Sequence, residues 1–382
     1  MDIKAFKGLN SVSDPMRLDM SWLVQADNIN ITDTGGIAKR SGYALSRAGG
    51  FASAYSTLDF SRIYLATAAN IQDFAGKIIA TLGSTAPMSW CEVNKQVFFN
   101  NGTDSGVIMP DDTVLPWAWP TPSTPTVAAA TGSLPAGAYQ VRCTYVLDDG
   151  RETGTGDAAE ITLTEGQALQ ISSIPSVAGT RTNIYIAPAN SEVFQLFANT
   201  RATALTFNAN PDTLGRDLLN AFLDPLPLGT DVIQAWRGRV YAAQYMAAED
   251  QTVLWFTEAL GFHLFNLNSS FIIVPGHAHM LAPHDSALLI GTESRVYAYD
   301  GTKLDQVADY GVVPGQHWGR DDERILFWST RGLCAALPFT NLTEKQVSVA
   351  PGVRAGGCVI RSSGQKRFLA CLQQGKEAFN AR

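Results

Sequence analysis

Charged side chains are scarce in this chain, at 16% of 382 residues, and runs of Ala, Leu, Glu and Lys at helical spacing are missing. With 33 Gly and 18 Pro in place of amphipathic helical stretches, the chain reads as all-β. No apolar run reaches the ~18 residues of a membrane-spanning helix, and the opening MDIKAFKGLN lacks the apolar core of a secretory leader, so synthesis in the cytoplasm is expected. The five cysteines, Cys91, Cys143, Cys334, Cys358 and Cys371, are scattered, with no CxxC pair, and are expected to be reduced and mostly buried. Cationic excess is lacking as well: a net charge of −7 argues against a surface that grips nucleic-acid phosphates.

Catalytic signatures are equally thin. There is no P-loop, no GxGxxG after a strand, no GxSxG elbow and no HExxH. The repeated Asp-box of glycosidase propellers is absent, and Thr103-Asp104-Ser105-Gly106 and Tyr299-Asp300-Gly301-Thr302 show only fragments that hairpin turns account for. The carboxylate pairs Asp111-Asp112, Asp148-Asp149 and Asp321-Asp322 read as solvated turns. His277, His279 and His284 supply nitrogen ligands in principle, but Pro275-Gly276 and Pro283 bracket them as a loop and no acidic partner is fixed by spacing. The expectation is a non-enzymatic protein with no catalytic residues, no metal and no cofactor.

What is present is a recurring phrase: an apolar strand, a tight polar turn and a return strand ending in Asp or Gly. Its clearest copy is ALLIGTESRVYAYDGTKL, Ala287 to Leu304, and looser copies start at Arg62, Gln96, Gly238, Arg324 and Arg367. A hairpin cannot bury its own apolar face, so the copies must pack on one another or close into a ring, which describes a β-propeller-like body. The long gap between Gln96 and Gly238 interrupts it. Four prolines, Pro116, Pro120, Pro122 and Pro125, form a stiff linker, after which short strands follow at Gly137–Leu147, Ala158–Leu163, Ala168–Ile171, Thr182–Ile186, Val193–Ala198 and Ala204–Phe207. Alternation at Tyr139, Val141, Cys143 and Tyr145, and at Ile184 and Ile186, calls for one face buried against a second sheet: an inserted immunoglobulin/fibronectin-like β-sandwich. The expected organisation is an arm over 1–43, a discontinuous propeller over 44–119 and 226–382, and the sandwich over 120–225. Trp117 and Trp119 flank the linker, either as hinge packing between the two domains or as surface-contact aromatics.

The arm has little periodicity. Met20 to Asn30 fits one short helix or strand, Asn28 to Thr32 alternates as an edge strand, Asp33 to Gly36 turn it, and Arg40 to Tyr43 is expected to begin the propeller. Here QADNINITDTGGIAKRSGY, with Ala26, Asn28, Thr32, Gly35, Arg40 and Gly42, resembles the opening of bacteriophage tail proteins of the nozzle type. Val253-Leu254-Trp255-Phe256-Thr257-Glu258 and the later LLIGTESRVYAYDG follow in the order those proteins show. The resemblance covers about residues 6–45 and 230–305, and the last 75 residues or so match only in style. It implies a virion tail protein forming a homo-oligomeric, hexameric ring on an adaptor or tube, with DNA passing through the channel and Arg17, Asn28, Thr32 and Arg40 at an assembly interface. Two other readings stay open: a baseplate or tail-tip component supporting fibres, and a receptor- or carbohydrate-binding adhesin touching the host surface.

Overall fold

The computed structural model describes residues 5–32, 34–40, 42, 44–362 and 365–375. Asp33, Tyr43 and the terminus at Asn380–Arg382 lie outside them, as does the end of the phrase that starts at Arg367. The chain is all-β, with short 3-10 turns at Pro15–Arg17 and Pro211–Thr213.

Beyond the arm and outside the inserted segment, six sheets follow one another among the described residues. The first pairs Ser53–Ser56, Ile63–Ala66, Asn70–Asp73 and Ile78–Thr81 in sequence order, and the second does the same with Ser89–Val93, Gln96–Asn100, Ser105–Ile108 and Val114–Leu115. The third runs Thr230–Trp236, Arg239–Met246, Gln251–Glu258 and Gly261–Phe265, with Phe271–Pro275 also paired to its third strand. The fourth begins at Ala278–Pro283 and the fifth at Trp318–Asp321, each again a four-stranded meander. The sixth is the hairpin of Arg354–Ser362 and Gln365–Gln373.

Each sheet shares a core with the next. Tyr64, Ile71, Trp90 and Phe99 join the first to the second, and Phe98, Ile233, Val240 and Phe265 join the second to the third. Leu254, Leu281, Leu288 and Ile290 join the third to the fourth; Met280, Leu289, Ile325 and Phe327 join the fourth to the fifth. Val313, Trp328 and Ala355 bring in the hairpin, and Arg354 Nη2 donates to Ala52 O at 3.3 Å beside the first sheet. Cys91, Cys143 and Cys334 are buried, whereas Cys358 and Cys371 on the hairpin are exposed.

Five of the recurring phrases are the second and third strands of these meanders, and the phrase from Arg367 falls on the second strand of the hairpin, Gln365–Gln373. Leu288–Thr292 and most of Arg324–Ser329 are buried on both faces, so they read as continuous apolar runs. First strands such as SAYS and WGRD carry no such signal. The first sheet therefore begins at Ser53, later than the expected start at Arg40 to Tyr43. The histidine segment is also not a loop: Ala278–Pro283 is a strand, hydrogen-bonded along Leu288–Thr292. Pro283 is tolerated because it is the last residue of a first strand.

The inserted strands pair among themselves. Thr126–Leu134, Gln167–Ser172 and Leu205–Phe207 form a three-stranded sheet, and Ala159–Leu163, Gly137–Leu147, Thr180–Ala187 and Gln195–Thr200 a four-stranded one. Tyr139, Val141, Cys143, Ile184 and Ile186 share a single core with Leu169, Ile171 and Phe207 of the other sheet. The strand TVAAATGSL at Thr126–Leu134 is not legible in the sequence because its small residues carry almost no β signal.

Candidate functional site

Two regions hold side chains that a structural or binding role would use: the arm, and the junction between the inserted strands and the body. In the arm, Gly8–Leu9 pairs in parallel with Trp22–Leu23, and Ile29–Ile31 forms a hairpin with Ile37–Lys39. Phe6 N donates to Gly35 O at 2.8 Å. Gly35 sits at φ +79°, and a Cβ there would fall 2.5 Å from the Ala5 Cβ, so only glycine fits. The arm is tied to its own chain: Ser11 N donates to Gln346 O at 2.8 Å and Ser348 N to Ser11 Oγ at 3.0 Å.

Of the residues expected at an assembly interface, Asn28, Thr32 and Arg40 belong to one hairpin and Arg17 precedes it on a 3-10 turn. Arg17 is exposed and lies 4.0 Å from Asp14. Asn28, at φ +55°, accepts the Arg40 N–H through its carbonyl at 2.8 Å, and Thr32 Oγ1 accepts from Gly36 N at 2.9 Å. Asn28 and Thr32 therefore shape the hairpin itself. Sequence reasoning passed over Val12, Met16, Met20 and Val24, whose side chains are exposed by 50%, 92%, 60% and 49% on this anchored segment. Their spacing of four was the available signal.

At the junction, Trp117 is not a surface aromatic. It is 1% exposed, edge-on to Phe98 at 5.2 Å, and its Nε1 donates to Phe262 O at 2.7 Å. The apolar space between the second and third sheets takes it in, at the point where the chain leaves the body. Trp119 is half-buried, and its Nε1 has no protein partner beside a water-sized void of about 10 Å³.

Glu152, just after the Asp148-Asp149-Gly150 turn, organises the other wall. Its Oε1 accepts from Asn183 Nδ2 and Tyr185 OH, each at 2.8 Å, and from Thr144 Oγ1, while Oε2 accepts from Arg216 Nη2 at 2.6 Å. Burial pushes this carboxyl up, but its donors Thr144, Asn183, Arg216 and Tyr185 outweigh burial and hold it below its ordinary value. Burial and the adjacent Glu152 charge push the Tyr185 phenol up in turn.

No family model matches this chain, and no curated protein matches it. Among solved structures it is similar to PorZ, an essential bacterial surface component of the type-IX secretion system of Porphyromonas gingivalis, at 13% identity and a TM-score of 0.24. That alignment covers 86% of this chain and 53% of PorZ, so the chain spans about half the length of that protein. A likeness this slight fixes neither fold nor function.

One contact crosses the junction, from His263, and two more tie the returning connector to the stretch that follows Glu152. His263 Nε2 lies 3.0 Å from Glu152 O, Thr155 Oγ1 donates to Ala221 O at 2.8 Å, and Asn220 Nδ2 donates to Thr153 O. At Gly154 a Cβ would sit 1.6 Å from Leu223 O, which makes glycine obligatory where the returning connector passes. Burial holds the His263 imidazole below its ordinary value. Among the described residues no group of three or more His, Cys, Asp or Glu is placed to hold a metal. His277 and His279 do approach, with rings 4.3 Å apart, and His277 stacks on Tyr245 at 4.2 Å.

Replacing Glu152 by Gln is expected to destabilise the inserted strands by about 2 kcal/mol, because an ionic acceptor of several donors becomes a group that must itself donate. The depressed carboxyl contributes stability that is full above about pH 4.5 and is lost as acidification carries it through its own lower value. Urea titrations at pH 7 and pH 4 check both points. A variant as stable as the parent at pH 7 removes Glu152 from this role.

Proposed function

We propose that this chain is a non-enzymatic structural subunit of a bacteriophage tail, of the nozzle type, in which several copies form a ring around the channel for DNA. In this reading the six sheets are the blades of a propeller whose first strands line the axis. The succession of shared cores, from the first sheet to the hairpin and back through Arg354 to Ala52, is the observation that carries the body.

The inserted strands are read as an immunoglobulin/fibronectin-like sandwich. With Thr126–Leu134 taken as strand B, the pairing is B–E against C′–C–F–G, and Leu205–Phe207 is an added strand beside E. Domain limits near 120 and 225 fall in stretches without named strands. A sandwich set rigidly on a propeller rim suits a subunit that spaces or interlocks its neighbours, and adaptor, tube and fibre proteins are the proposed partners in the virion.

The link to a tail rests on the resemblance in residues 6–45 and 230–305, and the link to assembly on the arm. Val12, Met16, Met20 and Val24 leave apolar side chains in solvent on a segment pinned at Ser11, as a subunit contact requires. Replacing both Met16 and Met20 by Asp is expected to leave the thermal midpoint within about 1 °C while shifting the particle from a ring towards monomer. Light scattering and negative-stain averages read this out. A parent that stays monomeric at every concentration, or a variant that still forms the parent's ring, would count against the proposal.

A further inference from the structure

An apolar core joins each sheet of the body to the next, but among the described residues none joins the sixth sheet to the first. What meets there is Arg354 Nη2, which donates to Ala52 O at 3.3 Å. On the reading of the chain as a ring subunit, we propose that the apolar faces left bare at this seam are covered by the arm of a second copy of this chain.

The faces follow from the register. On the hairpin, Ala355, Ala370 and Leu372 pack with Trp328 of the fifth sheet. Side chains alternate along a strand, so Cys358, Ile360, Leu369 and Cys371 share the opposite face. Arg354 belongs to that same face and reaches Ala52, so this is the face turned towards the first sheet. Both thiols are exposed on it, and Ile360 is 37% exposed. On the first sheet, Tyr64, Ala66 and Ile71 turn to the second sheet. Ile63 and Ile78, 37% and 61% exposed, lie on the face turned away from it. Free cysteine and isoleucine are among the residue types most often buried. Gathered on two neighbouring faces, they point to a surface that another chain covers.

The arm has the matching chemistry. Val12, Met16, Met20 and Val24 are exposed, while Ser11 beside them is held by Gln346 and Ser348, in the connection that leads into the hairpin. Held in this way, the arm leaves the thiols of its own hairpin exposed. A ring closes through contacts between two different surfaces of each subunit, and one chain here carries both, an apolar projection and an uncovered apolar seam. Methionine suits such a contact because its unbranched thioether fills irregular gaps.

The test follows the two thiols in the full, reduced chain. Maleimide labelling read by peptide mass spectrometry should find Cys358 and Cys371 about tenfold or more less reactive in the ring than in the dilute monomer. Met16→Cys, oxidised in the assembled state, should crosslink to Cys358 or Cys371 of the next copy and give a ladder of multimers, which Cys358→Ser with Cys371→Ser should abolish. Ile360→Asp should raise the concentration at which the ring forms about tenfold or more while leaving the thermal midpoint within about 2 °C. A ring whose thiols react as they do in the monomer, or one that Ile360→Asp leaves at the parent's concentration, overturns the seam contact and leaves the ring reading standing. A parent that stays monomeric at every concentration overturns both.

Discussion

Trp117→Ala is expected to cost about 3–5 kcal/mol, more than the loss of any other single side chain at the junction. Three terms add. The indole fills the space between the second and third sheets, edge-on to Phe98 and 6.2 Å from Phe265, and its removal leaves a cavity that neighbours on two separate sheets cannot collapse to fill. The Phe262 carbonyl then loses its donor inside that cavity. Finally, the strands it joins, Gln96–Asn100 and Arg239–Met246, are far apart in sequence, so no local pairing compensates. Urea unfolding followed by tryptophan fluorescence and by far-UV circular dichroism measures the loss. Hydrogen exchange should show the second and third sheets losing protection together while Tyr139, Val141 and Ile184 keep theirs. Trp117→Phe restores most of the volume without the donor and should recover more than half of the loss. If Trp117→Ala unfolds within about 0.5 kcal/mol of the parent, the indole is not what couples these sheets.

The same residue shows where a sequence stops being legible. Trp117 lies in a proline-rich stretch, and nothing local to WAWPTP distinguishes a buried indole from one offered to solvent. What decides is Phe262, which approaches only because the chain returns after the inserted strands. The inner strands of each sheet were readable, since burial on both faces writes itself as a run such as LLIGT or RILFWS. The first strands were not: Ala278–Pro283 ends in proline and carries His279, so it reads as a loop although Ala278, Met280, Leu281 and Ala282 are buried. In the inserted segment, alternation at Tyr139, Val141 and Cys143 gave strand, face and partner sheet together. Glu152 was visible only as part of a turn pattern, because its partners come from two distant places, Asn183 and Tyr185 on one strand and Arg216 on the connector. The arm's interface candidates were chosen by charge and motif, whereas that segment also exposes the apolar side chains of Val12, Met16, Met20 and Val24.

Acidification should weaken the body through His317, and the sign follows from its surroundings. The imidazole is fully buried, its Nδ1 accepts from Trp328 N at 3.3 Å, and Nε2 has no protein partner. Burial drives its pKa down from 6.5 to about 4, with nearby His279 acting in the same direction. A base whose folded value lies below its unfolded one binds its proton more readily in the unfolded chain. Stability is therefore full above about pH 6.5 and declines as pH falls towards 4, by about 3 kcal/mol in total. His279 and His263, both also depressed by burial, add losses of the same sign as pH falls below their ordinary value, so the parent's slope exceeds what His317 alone supplies. His317→Gln separates the contributions. It keeps a polar side chain of similar reach and removes the titration, so its stability at pH 7 should fall by about 1–2 kcal/mol for imperfect packing. Between pH 7 and pH 4.5 it should lose about 2–3 kcal/mol less than the parent does. Chemical denaturation at both pH values gives the four numbers. Equal slopes in parent and variant would mean that the imidazole takes up its proton at the same pH in the folded and unfolded chain, and its Cε1 proton shift on titration would then move near pH 6.5 instead of near 4.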